Sequence, residues 1–392
     1  MKILSLNSGS SSLKFQLYEM PEENVLISGV FERIGIGESF YTIKLDGEKF
    51  KTEVELKNHS EAIAILIKEL LDRKIITSLD EVKGVGHRVV QGGSYFDKSV
   101  IATDDVISKI DELSSLAPLH NPAAIVGLNA SKEMMPSAIN VTVFDTSFHQ
   151  TMPKHNYIYP VPYSWYTDYN VRRYGAHGTS HMYISNRMNE ILGKTDTKLI
   201  TCHIGNGASI SAVVNGKCLN TSMGLTPNAG VMMGTRCGDM DATVVTYMME
   251  QTSMTAKEMD TALNKQSGYL GVAGHSDSRD VEDGIALGDE KCILGQKIYV
   301  RKIVDFIAKY YVEMGGCDGI IFTAGVGENS ILTREAILKD LEVLGIKLDK
   351  ERNNVRGKET LISADDSSIP VYIIPTDEEL VMARDTYAYL NE

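Results

Sequence analysis

The chain opens with a strand, a turn of small and hydroxyl side chains, and a second strand. The first strand is predicted over Lys2–Leu6 and the second over Leu13–Leu17, where apolar and polar residues alternate with a period of two. The turn between them, Asn7–Ser12, holds one amide, one glycine and four serines, and Lys14 follows. Small residues let backbone N–H groups approach an anion closely, and the lysine supplies charge. The segment therefore favours a phosphate-binding β-hairpin, with an ordinary polar hairpin as the alternative; spacing excludes a Walker A loop.

A second segment of the same kind lies much later in the chain. Strands are predicted over Lys198–Ile204 and Ile210–Val214 around the turn Gly205–Ser209, and Asn215-Gly216 then predicts a tight hairpin. Aligning Gly207 with Gly9 gives an offset of 207 − 9 = 198 residues. The pattern predicts an internal duplication in which each copy offers a phosphate hairpin, with chance similarity of two hairpins as the alternative.

Composition limits the class of protein. At 392 residues, of which 43% are hydrophobic, the chain can fill two cores. Its net charge of −13 argues against nucleic acid as a partner, since no basic field can displace counterions from a duplex. The five cysteines are scattered without a Cys-x-x-Cys pair, which indicates neither zinc nor a disulfide framework and favours a reducing compartment.

The lengths of the apolar segments indicate where in the cell the protein is located. The run after Lys2 breaks at Asn7, too early for a secretory signal, and no stretch approaches the ~18 apolar residues that span a bilayer. We therefore expect a cytoplasmic protein with no membrane partner.

The remaining pattern predicts an α/β fold. Predicted helices are Glu61–Leu71, Asp104–Leu116, Pro122–Glu133 with Asn121 as its cap, Ile298–Tyr311, Ser330–Leu344 and Leu380–Leu390. Further predicted strands are Val25–Phe31, Tyr41–Leu45, Val82–Val90, Ile139–Phe144, Cys317–Thr323 and Val371–Ile374, and Ala324–Asn329 is predicted as a glycine-rich turn. Three prolines in Met152–Pro162 predict an end of regular structure and a domain boundary. We predict domains at 1–150 and 151–379; that the helix at 380–392 packs back on the first domain stays open.

Three charged, glycine-rich segments are candidate anion sites. Arg88 ends a predicted strand beside Gln91-Gly-Gly93, where its fork could bind a carboxylate or phosphate at two points, although a surface salt bridge is the commoner fate of an arginine. Arg172–His181 combines histidines, hydroxyls and glycines without a neighbouring carboxylate or thiol, which favours phosphate over metal. Asn220–Asp239 is a long aperiodic loop whose apolar content argues against disorder.

Several long motifs that occur in a fixed order identify a protein family more reliably than any single motif does. Asn7–Lys14, Gly86-His-Arg88, Arg172-Arg-Tyr-Gly175, His177–His181, His203–Ser209, Thr221–Arg236, Gly327-Glu-Asn329 and Glu378-Glu-Leu380 resemble the acetate kinase family over nearly the full length. The resemblance implies the superfamily of sugar kinases, heat-shock chaperone ATPases and actin. It implies two duplicated ribonuclease-H-like domains around an interdomain nucleotide cleft, and a homodimer.

The same resemblance implies a role for each matching residue. Asn7 and Glu378 would hold Mg²⁺, with Mn²⁺ as an alternative ion, and Ser10, Ser12 and Lys14 would lie near the phosphates. Arg88, Val90, His120 and Ala176 would bind acetate, while Asp145, His177 and Arg236 would be catalytic. The residues that would line the ATP site are His203, Ile204, Gly205, Asn206, Gly207, Asp277, Ser278, Arg279, Gly325, Val326, Gly327, Glu328 and Asn329.

One position departs from the family pattern. The family usually has phenylalanine between the glycine and histidine of Arg-Tyr-Gly-x-His-Gly, where it helps to form the pocket for the acetate methyl group; this chain has Ala176. The expected activity is reversible transfer of the ATP γ-phosphoryl group to acetate, giving acetyl phosphate and ADP. A propionate or butyrate kinase and a non-catalytic ATP-binding module are the alternatives.

Overall fold

The structure is a computed structural model that describes residues 1–118 and 120–391. Its strands are β1 Lys2–Ser8, β2 Ser12–Glu19, β3 Asn24–Glu32, β4 Phe40–Leu45, β5 Glu48–Glu53, β6 Val82–Val89, β7 Val100–Ile101, β8 Ile139–Phe144, β9 Lys198–Ile204, β10 Ala208–Val214, β11 Lys217–Thr221, β12 Gly319–Thr323, β13 Thr360–Leu361 and β14 Val371–Ile373.

Helices alternate with the later strands. They are α1 His59–Asp72, α2 Asp104–Glu112, α3 Asn121–Met134, α4 Lys154–Tyr157, α5 Tyr163–Tyr169, α6 Gly178–Leu192, α7 Thr243–Thr252, α8 Ala256–Lys265, α9 Gly268–Ala273, α10 Ser278–Ala286, α11 Glu290–Met314, α12 Ala324–Asn329, α13 Ile331–Asp340, α14 Lys350–Asn353 and α15 Glu378–Asn391. Short 3₁₀ turns occupy Leu79–Glu81, Leu113–Ser115, Ser147–Thr151 and Glu342–Leu344. Among the residues described, no helix is both long and apolar enough to cross a membrane.

The described chain divides into two compact units. Unit 1 comprises Met1–Phe148 with Asp377–Glu392, and unit 2 comprises His149–Thr376. Helix α15 thus belongs to unit 1, where it packs on β6. A Cβ at Gly84 would lie 2.5 Å from Thr386 Cγ2, and one at Gly86 would lie 2.9 Å from the Met382 carbonyl oxygen. The two glycines therefore let the helix approach the strand closely. The division into folding domains at 1–150 and 151–379 stays a prediction.

Each unit is built on a sheet with the same central order. In unit 1 the order is β5-β4-β3-β2-β1-β6-β8-β7, with β1–β3 antiparallel and β1, β6 and β8 mutually parallel. In unit 2 the order is β11-β10-β9-β12-β14-β13, again with three antiparallel strands followed by a parallel set. This repeat of topology confirms the predicted α/β fold and its duplication.

Both sheets bury apolar side chains because helices cover them. In unit 1 Leu4, Leu6, Phe15 and Leu17 are buried, in agreement with the predicted alternation on β2. In unit 2 the long helix α11 covers β9 and β10, and its ends are fixed by an Asp289 side-chain cap and by left-handed Gly315. Both predicted hairpins are confirmed, including the turn at Asn215-Gly216, where both residues have positive φ.

Some local predictions are wrong for identifiable reasons. Asn121 is not the cap of α3 but its first residue, because its side chain pairs with the backbone of Gln91 instead. Residues 324–329 form the short helix α12 rather than an open turn, because the Glu328 carboxylate accepts a hydrogen bond from Ala324 N. The proline-rich segment still holds α4. Of the loop predicted at Asn220–Asp239, Asn220 and Thr221 end β11, and residues 222–239 have no helix or strand, as predicted.

Buried His87 makes the stability of unit 1 depend on pH. The imidazole on β6 is 2% exposed, its Nε2 donates to Asn140 Oδ1 at 2.8 Å, and burial lowers its pKa to about 4. Because the unfolded side chain takes up a proton below its ordinary pKa of about 6.5, stability is lost as pH falls from there towards 4. We expect the wild type to lose about 2 kcal/mol more unfolding free energy between pH 7 and pH 5 than His87→Gln. Urea unfolding measures this, with exposed His155→Gln as control; equal losses in wild type and His87→Gln would contradict it.

Candidate active site

A network in unit 1 centres on Arg88. Its Nε and Nη2 donate to the two carboxylate oxygens of Asp145 at 2.9 and 2.6 Å, and its Nη1 donates to Asn7 Oδ1 at 3.2 Å. The Asp145 side chain is fully buried and that of Arg88 is 20% exposed. One edge of the guanidinium fork is thus committed to Asp145. Of five N–H donors, three have these partners, which leaves 5 − 3 = 2 for a ligand among the residues described.

Acidic groups surround this arginine. Glu378 Oε2 lies 3.9 Å from Arg88 Nε, and Asn7 Nδ2 lies 3.5 Å from Glu379 Oε1. Burial lowers the pKa of Arg88, but the charges of Asp145, Glu378 and Glu379 outweigh burial and raise that pKa above its usual range. Three carboxylates and one guanidinium give a formal charge of −3 + 1 = −2. The cluster can therefore accept a divalent cation.

The oxygen donors of this cluster fit Mg²⁺ in kind. Asn7 and Glu378 offer an amide and a carboxylate oxygen, the hard ligands that this ion prefers. Over the described ranges, no group of three His, Cys, Asp or Glu side chains forms a ready metal cage. That agrees with the way Mg²⁺ usually binds, through one or two carboxylates, with water and substrate phosphates completing its shell.

The first predicted phosphate hairpin is a tight turn in unit 1. Gly9 N donates to Ser12 O at 2.8 Å, and Lys14 lies opposite Asn7 in the β1–β2 ladder. Ser10 and Lys14 are exposed, so their polar groups are accessible to solvent. Nothing in the sequence pattern indicates His59, whose buried ring contacts the Gly9 carbonyl at 2.7 Å and so anchors the turn from α1.

The other predicted acetate contacts of unit 1 lie near the end of β6. Val90 directly follows the strand and is buried, and His120 directly precedes α3 and is partly exposed. Asn121 fastens this region, since its side chain bonds both the N–H and the carbonyl of Gln91. That Val90 and His120 contact acetate stays a prediction.

In unit 2, His177 and Arg236 approach the second predicted phosphate turn. A Cβ placed on Gly207 would lie 3.3 Å from Arg236 Nη1 and 3.7 Å from His177 Nε2. His177 has a left-handed backbone with φ of 59°, and its ring stacks on His203 with centroids 4.0 Å apart. Such a backbone is strained for a residue with a side chain and is common at functional sites. The turn thus brings a histidine and an arginine to one glycine.

Arg236 is a mostly buried cation without an anion. Its Nη1 donates to the Pro227 carbonyl at 3.2 Å and contacts Met233 Sδ at 3.7 Å. Burial lowers its pKa, and no carboxylate among the described residues pairs with it. A buried guanidinium is costly unless an opposite charge compensates it. Arg236 is therefore ready for an anionic ligand.

A cavity of about 620 Å³ lies in unit 2, a volume within the range of small-molecule sites. Eight residues predicted to line the ATP site do line it: Gly205, Asn206, Asp277, Ser278, Arg279, Gly325, Val326 and Asn329. Asp277 caps α10 through Arg279 N and pairs with the Arg279 guanidinium at 2.6 Å, and these bonds lower the pKa of Asp277 to about 2. The cavity wall thus combines polar side chains at the start of α10 with residues of the turn after β9 and of α12.

The other predicted ATP residues do not line this cavity in the described structure. His203 and Ile204 lie on β9, Gly207 faces Arg236, Gly327 O accepts from Arg334, and Glu328 bonds Ala324 N. Sequence reasoning missed seven lining residues: Gly234, Tyr269, Ser276, Glu282, Tyr299, Ser330 and Arg356. Gly234 could have been found from the sequence, because it is a glycine of the aperiodic loop. The structure shows why a glycine is needed there, since a Cβ would come within 1.9 Å of Asn206 Oδ1.

Buried Arg334 holds two walls of the cavity together. It is fully buried on α13, and its guanidinium donates to the carbonyls of Gly327, Asn353 and Val355 and to Asn353 Oδ1. These bonds connect the glycine turn at 325–329 to the segment that leads to Arg356. Burial lowers the pKa of Arg334 to about 10, with the Arg356 charge adding to the effect.

Ala176 lies in the hydrophobic core of unit 2. Its side chain is 2% exposed, and its carbonyl accepts a hydrogen bond from His149 Nε2 at 3.0 Å. Preceding Gly175 has φ of 78°, and a Cβ there would lie 2.5 Å from His149 Cδ2. The segment before His177 is therefore closely packed, and a phenylalanine at 176 would require its neighbours to move.

A duplicated α/β fold, a polar cavity of about 620 Å³ and a partly buried arginine without a carboxylate partner among the described residues fit the kinase class of enzymes. The sequence profile of the acetokinase family matches residues 2–384. The chain belongs to the acetokinase family, in agreement with the resemblance that its motifs indicate.

Curated relatives and solved structures agree with this membership. The acetate kinase of Chlorante-Aster yellows phytoplasma is 50% identical over 386 residues, which cover 98% of this chain and 94% of the relative. The crystal structure of Porphyromonas gingivalis acetate kinase is 46% identical, with a TM-score of 0.94 and 99% of each chain covered. A propionate kinase from Francisella tularensis has the same TM-score and coverage at 39% identity.

Proposed function

We propose that this chain catalyses reversible, Mg²⁺-dependent transfer of the ATP γ-phosphoryl group to acetate by direct in-line displacement. The observation that carries the proposal is partly buried Arg236, which has no carboxylate partner among the described residues and lies beside His177 at Gly207. Family membership supports acetate as the acceptor.

The chemistry needs no general base. An acetate oxygen attacks the γ-phosphorus, the bond from that phosphorus to the β–γ bridging oxygen breaks, and ADP leaves. Acetate is already an anion, so no proton has to be removed. The difficulty is bringing a carboxylate to a polyanion, which calls for positioning and for neutralisation of charge.

We assign acetate to the Arg88 region of unit 1. The two N–H donors that remain on Arg88 can bind a carboxylate, with Val90 as an apolar neighbour and His120 as a further contact. Asp145 then acts as a positioning residue, because it holds Nε and Nη2 of Arg88. This role suits a buried carboxylate better than proton abstraction does, since the acceptor carries no proton to abstract.

We assign the phosphate groups to the two turns and to the partly buried side chains of Arg236 and His177. Arg236 and His177 would donate to the transferring phosphoryl group, and Ser10, Ser12 and Lys14 would serve the phosphates from the first hairpin. Asn7 and Glu378 would hold Mg²⁺, which when bound neutralises phosphate charge. The cavity lined by Asp277, Ser278 and Arg279 would take the nucleoside of ATP.

A hydroxamate assay for acyl phosphate tests the proposal. Purified protein is incubated with ATP, MgCl₂ and acetate, propionate or butyrate, and acyl hydroxamate is measured against a no-acceptor blank. We expect kcat/KM to be highest with acetate. Nucleotide binding without acyl phosphate from any of the acids would instead identify a non-catalytic ATP-binding module.

A propionate kinase is the second candidate. Alanine at 176 replaces the phenylalanine usual in the family, and a structure that matches at a TM-score of 0.94 is that of a propionate kinase. The family resemblance places position 176 beside the acyl group, where a side chain smaller than phenylalanine would leave room for one more methylene. In that case kcat/KM for propionate would equal or exceed that for acetate.

Ala176→Phe tests the role of this position. We expect the acetate-to-propionate ratio of kcat/KM to rise by about 10-fold or more, because one methylene in an apolar pocket is worth ~1–3 kcal/mol. The ratio does not depend on the fraction of folded protein, which matters because a phenyl group in this core should cost about 1–3 kcal/mol of stability. A melting curve measures that cost, and an unchanged ratio would remove the argument for acyl selectivity.

We also propose that the chain forms a homodimer. No residue of α7 is buried, and Val244, Tyr247 and Met248 form an exposed apolar stripe at i, i+3 and i+4. Family resemblance makes a second copy the expected occupant. Light scattering should give about twice the 43.2 kDa chain mass, and Tyr247→Glu should lower it where Thr246→Glu does not. A monomeric wild type at micromolar concentration would contradict the proposal. A cytoplasmic location stays a prediction.

A further inference from the structure

Two histidines of unit 2 share one serine hydroxyl. Ser209 Oγ lies 2.9 Å from His177 Nδ1 and 2.7 Å from His181 Nε2. The other nitrogen of His181, Nδ1, lies 2.8 Å from Thr201 Oγ1, and that hydroxyl reaches the Ser211 carbonyl at 3.4 Å. A continuous chain of hydrogen bonds therefore runs from His177 to a backbone carbonyl.

The architecture places these groups together. His177 immediately precedes α6 and His181 lies on its first turn, so their rings are one helical turn apart. Thr201 on β9 faces Ser211 on β10 in the antiparallel ladder, and Ser209 lies two residues before Ser211 on the same side of the strand. Ser209, His181 and Thr201 are fully buried, so bulk solvent does not reach their polar atoms.

Counting the available protons determines which group donates in each of these hydrogen bonds. Burial, with His149 and His203 nearby, lowers the pKa of His181 well below its usual value, so its ring is neutral and carries one N–H. Thr201 donates to the Ser211 carbonyl and therefore accepts from His181 Nδ1. His181 Nε2 is then an acceptor and takes the single hydroxyl proton of Ser209. Ser209 in turn can only accept from His177, which must carry a proton on Nδ1.

The reverse order is less favourable. It would require Thr201 to donate to His181, and Thr201 would lose its bond to the Ser211 carbonyl. A hydroxyl can donate only one proton, so Thr201 cannot serve both acceptors.

We propose that Ser209 and His181 are positioning residues that keep His177 protonated on Nδ1, so that His177 Nε2 is the atom that gains and loses a proton at the phosphoryl site. The assignment deepens the proposed function and rests on it only for the catalytic consequence. Protonated His177 then donates from Nε2, which lies 3.7 Å from a Cβ placed on Gly207, the glycine that Arg236 Nη1 also approaches. The charged and titratable groups that face His177 include Arg236, the stacked ring of His203, and His181 through Ser209.

The tautomer can be observed without any assay of activity. The measurement is ¹⁵N-histidine NMR of the full chain, in which His177 is assigned by the loss of its signals in His177→Gln. Neutral His177 should show a protonated Nδ1 and an unprotonated Nε2. Ser209→Ala should convert part or all of this population to the Nε2–H form. Ser211→Ala is the matched control, because it removes a buried hydroxyl from the same strand and keeps the Ser211 carbonyl.

The catalytic consequence is a shift in pH dependence. If cationic His177 is the active form, kcat falls as pH rises through its pKa. Removing Ser209, which accepts from the cation, moves that fall to lower pH and lowers kcat by about tenfold or more. Ser211→Ala should leave the pH profile unchanged.

Each outcome decides one question. An Nε2–H tautomer in the wild type, or the same tautomer and pH profile in Ser209→Ala as in the wild type, overturns the assignment. If no acid yields acyl phosphate, the proposed function fails, while the NMR result still tests the hydroxyl relay.

Discussion

Arg236→Ala should lower kcat by about 10²-fold or more while leaving the protein at least as stable as the wild type. The guanidinium is mostly buried, and its described side-chain partners are a carbonyl and a thioether. Its counter-charge would develop on the transferring phosphoryl group, so its loss should be felt in turnover. Removing a buried cation that lacks an anion should cost no folding free energy. Hydroxamate kinetics and urea unfolding measure the two effects.

Arg334→Met provides the matched control. Arg334 is a fully buried arginine of unit 2, and it makes four hydrogen bonds to neutral acceptors. Its removal should lower the unfolding free energy, because several buried carbonyls lose their donor. Near-parental kcat in Arg236→Ala would show that this arginine is peripheral to the reaction. His177→Ala should resemble Arg236→Ala in kcat.

Arg88→Ala should raise the acetate KM strongly and also destabilise unit 1. Loss of a desolvated ionic contact to the substrate should cost ~2–4 kcal/mol in transition-state binding, with little change in the ATP KM. The substitution also leaves the fully buried Asp145 carboxylate without its partner, which should cost about 3–5 kcal/mol of folding free energy. Acyl hydroxamate kinetics over a range of acetate concentrations measure the first effect, and urea unfolding measures the second.

A double variant separates the two effects. Arg88→Ala with Asp145→Ala removes both charges and should recover much of the unfolding free energy, but the acetate KM should stay high. Lys132→Ala, which breaks the surface pair with Asp104, should change neither quantity. If the double variant regained the parental acetate KM, Arg88 would act only as the partner of Asp145. An unchanged acetate KM in the single variant would refute the carboxylate assignment.

The sequence determined the architecture because its signals are local. Alternation on β2, the Asn215-Gly216 turn and the helix predicted over Ile298–Tyr311 depend on residues close in the chain. The first two are confirmed, and the predicted helix lies within the longer α11. The motif order determined the family for a similar reason, since each motif is a short run with its own spacing. The repeated hairpin predicted the duplicated sheet before any pairing was known.

Only the tertiary structure decided how individual side chains are used. Nothing near Arg88 in sequence indicates that Asp145, 145 − 88 = 57 residues later, occupies one edge of its fork, because parallel pairing of β6 and β8 brings them together. The same holds for Ser209 on β10, whose pairing with both His177 and His181 requires α6 to pack against the neighbouring strand β9. A side chain's residue type is fixed by the sequence, but its partners, burial and protonation are set by residues far away in the chain.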